Sequence, residues 1–224
     1  MFMGCIMYAD DLALISSSVC ELQRMLDLCA DILAEIGMQI NSNKCSILRF
    51  GPQYANHCTT IWFQDCSVEF CNKAKYLGIQ LKSDKVFSVD LSYCKAKFYR
   101  AFNSVFHRAA KLHNEITTLH LVSSSCKPHL LYAMDCVALS VTQMRSLHHT
   151  WQCAVSHVFN VCGSNVNFIS SRTEECSLDD IIVNRSKRFL HNLCKLHYGH
   201  SVLYQLYLIF GQSELHRLNA LSGQ

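Results

Sequence analysis

Two adjacent carboxylates, Asp10 and Asp11, are the side chains of this sequence whose types and spacing point most directly to chemistry. They lie between two apolar runs, residues 5–8 and 12–15, each with the length of a short strand. The pattern predicts a β-hairpin with the acids at its turn, where two carboxylates converge and need a cation to offset their repulsion. Paired carboxylates hold Mg²⁺ ions in enzymes that transfer nucleotidyl groups. A solvated turn, which Asp also favours, is the simpler interpretation of the dipeptide alone.

The elements that position the acids begin with a helix directly after the hairpin. Ser18 and Glu21 have the spacing of a capping box. Apolar residues then recur at helical spacing over residues 22–36, and Gly37 suits the end of a helix. The sequence therefore predicts one amphipathic helix packed beside the hairpin.

Short strands are expected after this helix. Residues 38–40 alternate as a strand, 41–43 have the composition of a turn, and 45–50 are predicted as the returning strand. Residues 61–81 contain further strand patterns. The first region is therefore predicted as α+β, with short antiparallel strands and one packed helix.

From about residue 90 onward the pattern becomes all-α. The first helix carries an apolar stripe, and a second stripe on another face is polar and basic. Pro128 is expected in the first turn of one further helix, Thr142 and Ser177 are expected to cap two more, and residues 201–210 are predicted as a last one. The basic stripe consists of Lys97, Arg100, Ser104, Arg108 and Lys111.

The net charge of +3 conceals a strong asymmetry along the chain. Residues 1–72 carry 3 basic and 8 acidic side chains, whereas residues 73–128 carry 10 and 3. An acidic block next to a basic block suits a metal site beside a surface that binds a polyanion. Ordinary variation of surface charge is the alternative interpretation.

Composition also excludes several classes of protein. The fourteen cysteines are scattered, with no CxxC pair, and the apolar start is interrupted by Asp10 before a signal-peptide cleavage site. The apolar run at 202–210 is too short to span a bilayer. We therefore expect an intracellular protein with reduced thiols and no membrane partner.

A second group of potential metal ligands lies near the end of the sequence. Cys194, His197 and His200 are spaced by three residues, and Cys176 lies upstream. Structural zinc sites usually show paired ligands at tight spacing, which this segment lacks. Chance proximity in a chain with many cysteines and histidines is the favoured interpretation.

Three spaced segments together resemble the reverse transcriptase of non-LTR retrotransposons. They are YADD at 8–11, GMQINSNKC at 37–45 and KYLGIQL at 75–81, and LLYAMD follows at 130–135. Their order and spacing are those of the family, whose activity is RNA-directed DNA synthesis. The resemblance implies a partial polymerase palm, a helical thumb and a C-terminal helical connection. These domains correspond to residues 1–88, 89–165 and 166–224.

The resemblance also implies roles for individual residues. Asp10 and Asp11 are expected to hold Mg²⁺, and Lys44 to supply charge or a proton to the pyrophosphate leaving the dNTP. The hairpin at 75–81 is expected to grip the primer, and the thumb stripe to contact phosphates of the template–primer duplex. The implied nucleic-acid-binding residues are Tyr8, Tyr76, Leu77, Gly78, Lys97, Arg100, Arg108 and Lys111.

Simpler interpretations exist for several of these residues. Lys44 has the character of a solvated loop lysine, Tyr8 that of a strand-favouring aromatic, and the basic stripe that of a wet helix face. The family's metal site also needs an aspartate on an earlier strand, which together with the fingers region is expected to precede Met1. We therefore expect a chain that does not polymerise alone and a hairpin with an open edge. A non-catalytic nucleic-acid-binding protein and a decayed retroelement remnant are the alternatives.

Overall fold

The chain folds into two compact units, Met1–Asp90 and Leu91–Gln224, in a computed structural model. The first unit combines antiparallel hairpins with one long helix, and the described part of the second unit is helical. The predicted α+β class is thus confirmed. The structure describes residues 4–63, 66–109, 111, 113–161, 165, 169, 177–195, 208 and 211–222.

Three small antiparallel sheets and helix α1 (Val19–Glu35) build the first unit. Within the described residues β1 has β2 as its sole partner, so the outer edge of the first hairpin is open, as predicted. The strands within 61–81 form two hairpins, which confirms the strand prediction there. The strands are β1 (Cys5–Tyr8), β2 (Asp11–Leu14), β3 (Ile61–Phe63), β4 (Cys66–Val68), β5 (Lys73–Tyr76), β6 (Ile79–Lys82) and β7 (Ser88–Val89).

Helix α1 begins and ends where the sequence predicts, but its capping box is half formed, because the Ser18 N–H donates to the Ser16 hydroxyl instead of the Glu21 side chain. The Ser18 hydroxyl accepts a hydrogen bond from the backbone N–H of Glu21 at 3.2 Å. Gly37 has φ +74°, and the backbone N–H groups of Gly37 and Met38 donate to carbonyls of the last turn. These two bonds form a Schellman motif, which requires the left-handed conformation that glycine adopts without steric cost.

A side-chain amide fastens α1 to the edge of β3. The Nε2 of Gln23 donates to the Trp62 carbonyl at 2.6 Å, and its Oε1 accepts the Trp62 N–H at 2.8 Å. The amide therefore pairs with the strand as a neighbouring peptide unit would. It occupies backbone groups that an edge strand otherwise leaves open. Ile61 and Phe63, on either side of Trp62, are buried.

The predicted strands at 38–40 and 45–50 are wrong. The Asn41 side chain accepts the N–H of Asn43 and closes a short 3₁₀ helix, Ser42–Lys44, in place of a simple turn between strands. Such a local side-chain bond gives the backbone an alternative to a strand ladder. The following segment contributes only isolated bridges, at Ile47 and Phe50, within the described residues.

A buried aromatic and aliphatic core holds the second unit together. Phe98 is fully buried, and its ring meets Trp151 edge to face with centroids 6.3 Å apart. Three leucines on later helices are also buried, so these helices contribute to the core as well: Leu130, Leu147 and Leu178. The helices are α2 (Leu91–Ala109), α3 (Glu115–Ser125), α4 (Lys127–Leu131), α5 (Val141–Phe159), α6 (Leu178–Lys195) and α7 (Gln212–Ser222).

Two of the three predicted helix starts in this unit are confirmed, and one is wrong. Pro128 lies in the first turn of α4 and α6 begins directly after Ser177, as predicted. Thr142 is not the cap of α5, because Ser140 and Gln143 form a reciprocal capping box two residues earlier. The predicted helix at 201–210 falls outside the described residues apart from one position. Within the described ranges, no helix combines the length and apolar composition that crossing a bilayer requires.

We expect Gln23→Ala to loosen α1 from β3. The substitution removes both bonds to the Trp62 backbone and should cost about 1 kcal/mol, since water replaces part of the lost pairing. Amide exchange measured by NMR on the full chain should show faster exchange at Trp62. Gln39→Ala, at an exposed position beyond the helix, is the control and should leave that amide unchanged. Equal protection in the two variants would contradict the proposed fastening.

Candidate nucleotidyl-transfer site

The acidic turn (residues 8–11) is a hairpin with a two-residue connection. Tyr8 at the end of β1 pairs with Asp11 at the start of β2, and Ala9 and Asp10 form the loop. Both carboxylates are exposed, and Tyr8 is 67% exposed. The predicted hairpin with its acids at the turn is therefore confirmed.

Ala9 has the left-handed conformation, with φ +52°. A two-residue hairpin connection needs positive φ so that its twist matches that of the strands. This conformation raises the free energy of an alanine, because its Cβ crowds the backbone. Backbone strain of this kind often marks functional turns. The apolar runs at 5–8 and 12–15 are separated by only three residues, which signals a tight turn, but the positive φ at Ala9 was not predicted.

One face of this hairpin is turned toward α1. Burial, and next the neighbouring Cys5 thiol, raise the pKa of Cys29 on α1, so Cys5 lies on the helix side. Alternation along a strand then places Ile6 and Tyr8 on the opposite face. Asp11 shares the face of Tyr8, because directly opposed residues of an antiparallel pair project to the same side. The tyrosine ring and one carboxylate are thus presented together, away from the helix.

The chemistry of the turn fits part of a Mg²⁺ site. Carboxylate oxygens are the ligands that Mg²⁺ prefers, and Asp10 and Asp11 bring two such groups to one corner. Among the described residues there is no group of three or more acidic, histidine or cysteine side chains placed to hold an ion. The turn can therefore supply two ligands, and further ligands have to come from elsewhere.

Lys44 lies in the 3₁₀ helix after α1 and is exposed. In the described part of the chain no hydrogen bond or ion pair joins it to Asp10 or Asp11. Its backbone N–H donates to the Asn41 carbonyl at 3.0 Å, which fixes the short helix. Its predicted role toward pyrophosphate stays a prediction.

The tip of the β5–β6 hairpin is exposed at Leu77, whereas the Tyr76 hydroxyl of the same hairpin is buried. Leu77 has φ +44° and Gly78 φ +84°, so the connection has the two positive φ angles of a type I′ turn. The Tyr76 hydroxyl is enclosed and has no hydrogen-bond partner among the described residues. At the base of the hairpin Lys73 Nζ and Asp90 Oδ2 form an ion pair at 2.5 Å. Leu77 and Gly78, rather than the Tyr76 hydroxyl, are the groups at the exposed end.

A basic face of α2 lies opposite its buried aromatic side chains. Arg100, Ser104 and Arg108 are exposed, while Lys97 is half-buried with its Nζ 4.5 Å from the centroid of the Tyr93 ring. We call these four residues, from Lys97 to Arg108, the α2 basic face. Lys111 is exposed but does not continue this stripe, because α2 ends at Ala109.

The possible zinc ligands cannot be assembled from the described residues. Cys194 is an exposed free thiol near the end of α6, whereas His197, His200 and Cys176 lie outside the described residues. All cysteines that the structure describes are free thiols.

The first unit thus combines an acidic turn on a small antiparallel hairpin with a helix and further hairpins. A comparison with family models finds a match in this unit. Residues 3–81 match the model of the reverse transcriptase (RNA-dependent DNA polymerase) family. The matched segment is thus similar to reverse transcriptases and contains the acidic turn, α1 and most of the β5–β6 hairpin. No curated protein and no solved structure matches the chain.

We expect Ala9→Gly to stabilise the β1–β2 hairpin by about 1 kcal/mol, since glycine adopts positive φ without the steric cost. Ala13→Gly is the matched control, because Ala13 lies in β2 opposite Ile6. Glycine inside a strand should destabilise by about 0.5–1 kcal/mol. Amide exchange of the hairpin in the two variants gives both free energies. A loss of stability in both variants would show that the turn at Ala9 is not strained.

Proposed function

We propose that this chain is palm and thumb of a non-LTR retrotransposon reverse transcriptase and contributes to RNA-directed DNA synthesis. The observation that carries the proposal is the acidic turn: both carboxylates of YADD lie at a hairpin corner inside a segment similar to reverse transcriptases. We assign residues 1–88 to the palm, 89–165 to the thumb and 166–224 to a helical connection. The non-LTR assignment rests on the three spaced sequence segments.

In this proposal Asp10 and Asp11 would hold Mg²⁺. Bound there, the metal would activate the 3′-hydroxyl of the primer and neutralise charge on the leaving pyrophosphate. Tyr8 presents its exposed ring on the face of Asp11 and would pack against the primer end. Lys44 would contribute positive charge toward the dNTP phosphates, and Leu77 and Gly78 would meet the primer strand.

The α2 basic face would position the duplex. Its cations are held at fixed spacing by a helix whose other side is anchored by Phe98 and Phe102 in the core. Arginine and lysine at such positions contact phosphates, which fixes register without reading sequence. The contact would therefore be salt-dependent and insensitive to base sequence.

A second candidate function is duplex binding without catalysis. It is favoured by the ligand count, since the described residues bring only Asp10 and Asp11 to the turn. Two carboxylates without a third should bind Mg²⁺ weakly, so the purified chain should not extend a primer supplied with dNTPs. Robust incorporation that Asp10→Asn abolishes would exclude this candidate and also exclude a decayed remnant.

We expect Mn²⁺, a paramagnetic substitute for Mg²⁺, to broaden the NMR signals of residues 8–12 selectively. Asp10→Asn combined with Asp11→Asn should abolish the broadening, because both carboxylate ligands are lost. The control is Asp31→Asn with Glu35→Gln, two exposed acids one turn apart on α1, with the same change of charge. Broadening that persists without the turn acids, or that the control also removes, would contradict a metal site here.

We expect the chain to bind an RNA–DNA template–primer duplex with strong salt dependence. Arg100→Gln with Arg108→Gln should raise Kd at least about tenfold and lower the salt slope by about 2. Fluorescence anisotropy across a salt series measures both quantities. Arg24→Gln with Arg145→Gln removes two exposed cations elsewhere and should have a much smaller effect. If both pairs act equally, net charge rather than the α2 basic face governs binding.

A further inference from the structure

Helix α6 carries a second polar and basic stripe that the charge pattern of the sequence did not reveal. Its exposed members recur at spacings of four, three and four residues, which keeps them on one side of an α-helix. All four are exposed. We call them the α6 basic stripe: Asn184, Arg188, His191 and Lys195.

The opposite side of α6 is built into the core of the second unit. Leu178, Ile182, Val183 and Leu190 are buried, and the buried Ser186 donates its hydroxyl to the Asp135 carbonyl at 3.2 Å. This packing fixes the rotation of the helix about its axis. The α6 basic stripe therefore has a defined outward direction.

Charge along α6 is strictly divided. The acids Asp179 and Asp180 lie in the first turn, where the helix dipole favours them. From residue 181 to the end of the helix every charged side chain is basic. Arg185 is exposed beside the stripe and adds a further cation. The last three turns thus present positive charge over a length of about 15 Å, from Arg185 to Lys195.

Two classes of polyanion would match such a stripe, and the packing distinguishes between them. A helix that lies in a membrane surface must insert its apolar face among lipids. Most of the apolar side of α6 is already buried in protein, and Phe189 is the one large apolar side chain of this helix that is exposed. A single exposed ring is too little apolar surface for insertion among lipids, so the polar side is the larger surface that can meet a partner. Spaced cations with no apolar insertion suit the phosphates along a nucleic-acid strand.

We propose that the α6 basic stripe binds the phosphate backbone of nucleic acid, as a contact separate from the α2 basic face. The inference rests on the proposed function, because it takes the template–primer duplex as the ligand. Arg188 and Lys195 make the phosphate contacts, with Arg185 flanking them. The stripe adds affinity and salt dependence and reads no base sequence.

The test uses the full chain and a fluorescent RNA–DNA duplex in anisotropy titrations over a salt series. Arg188→Gln with Lys195→Gln should raise Kd at least about tenfold and lower the salt slope by about 2, since two phosphate contacts are lost. Arg188→Lys with Lys195→Arg keeps the charges and should retain most of the affinity. Arg24→Gln with Arg145→Gln controls for net charge, and circular dichroism confirms that each variant folds.

The outcomes separate this inference from the proposed function. If Arg188→Gln with Lys195→Gln binds as the wild type while Arg100→Gln with Arg108→Gln loses affinity, the α6 contact is overturned and the proposed function stands. If the unmodified chain shows no salt-dependent duplex binding, both fail. Duplex binding that is unchanged while binding to phosphatidylserine vesicles is lost would overturn the inference in favour of a lipid surface.

Discussion

The two-residue connection between β1 and β2 is the constraint on which the candidate site depends. It forces positive φ on Ala9 and sets the register that pairs Tyr8 with Asp11. A longer loop would relieve the backbone and leave the side-chain directions of these two neighbouring acids less fixed. The strain is offset by the strand pairs and by contact with α1, where the Cys5 thiol neighbours Cys29. The hairpin geometry thus determines how the two neighbouring acids are presented, and among the described residues no third potential metal ligand joins them.

The helices of the two units are held in place by different interactions. Helix α1 has no fully buried residue, and Leu28, Ile32 and Ile36 remain exposed. Its order therefore depends on its two caps and on the amide of Gln23 rather than on a deep core. In contrast, α2 and α6 each bury one side in the second unit. The basic side chains on the outer sides of α2 and α6 therefore project from helices that are fixed by their buried sides. Contacts that position phosphates require such fixed helices.

Sequence patterns predicted the structure correctly where interactions between residues close in the chain determine it. Apolar runs flanking two acids predicted the hairpin, and periodic apolar residues ending at Gly37 predicted α1. Prediction failed where a single side chain decides the backbone, as Asn41 does in closing a 3₁₀ helix. It also failed to foresee the enclosed hydroxyl of Tyr76, since burial of a strand face depends on distant segments. The acids of the site were therefore predictable, whereas the orientation of its other groups was not.

The α6 basic stripe shows why charge summed over long blocks is a poor guide to a binding surface. Residues 129–224 carry 7 basic and 6 acidic side chains, which suggests a neutral region. Most of those acids precede residue 181, and the cations of α6 follow it. Exposed charges interact over only about 8–10 Å at physiological ionic strength. A polyanion therefore encounters the local face of a helix, so the spacing of like charges along one side determines binding more than the net charge of the segment.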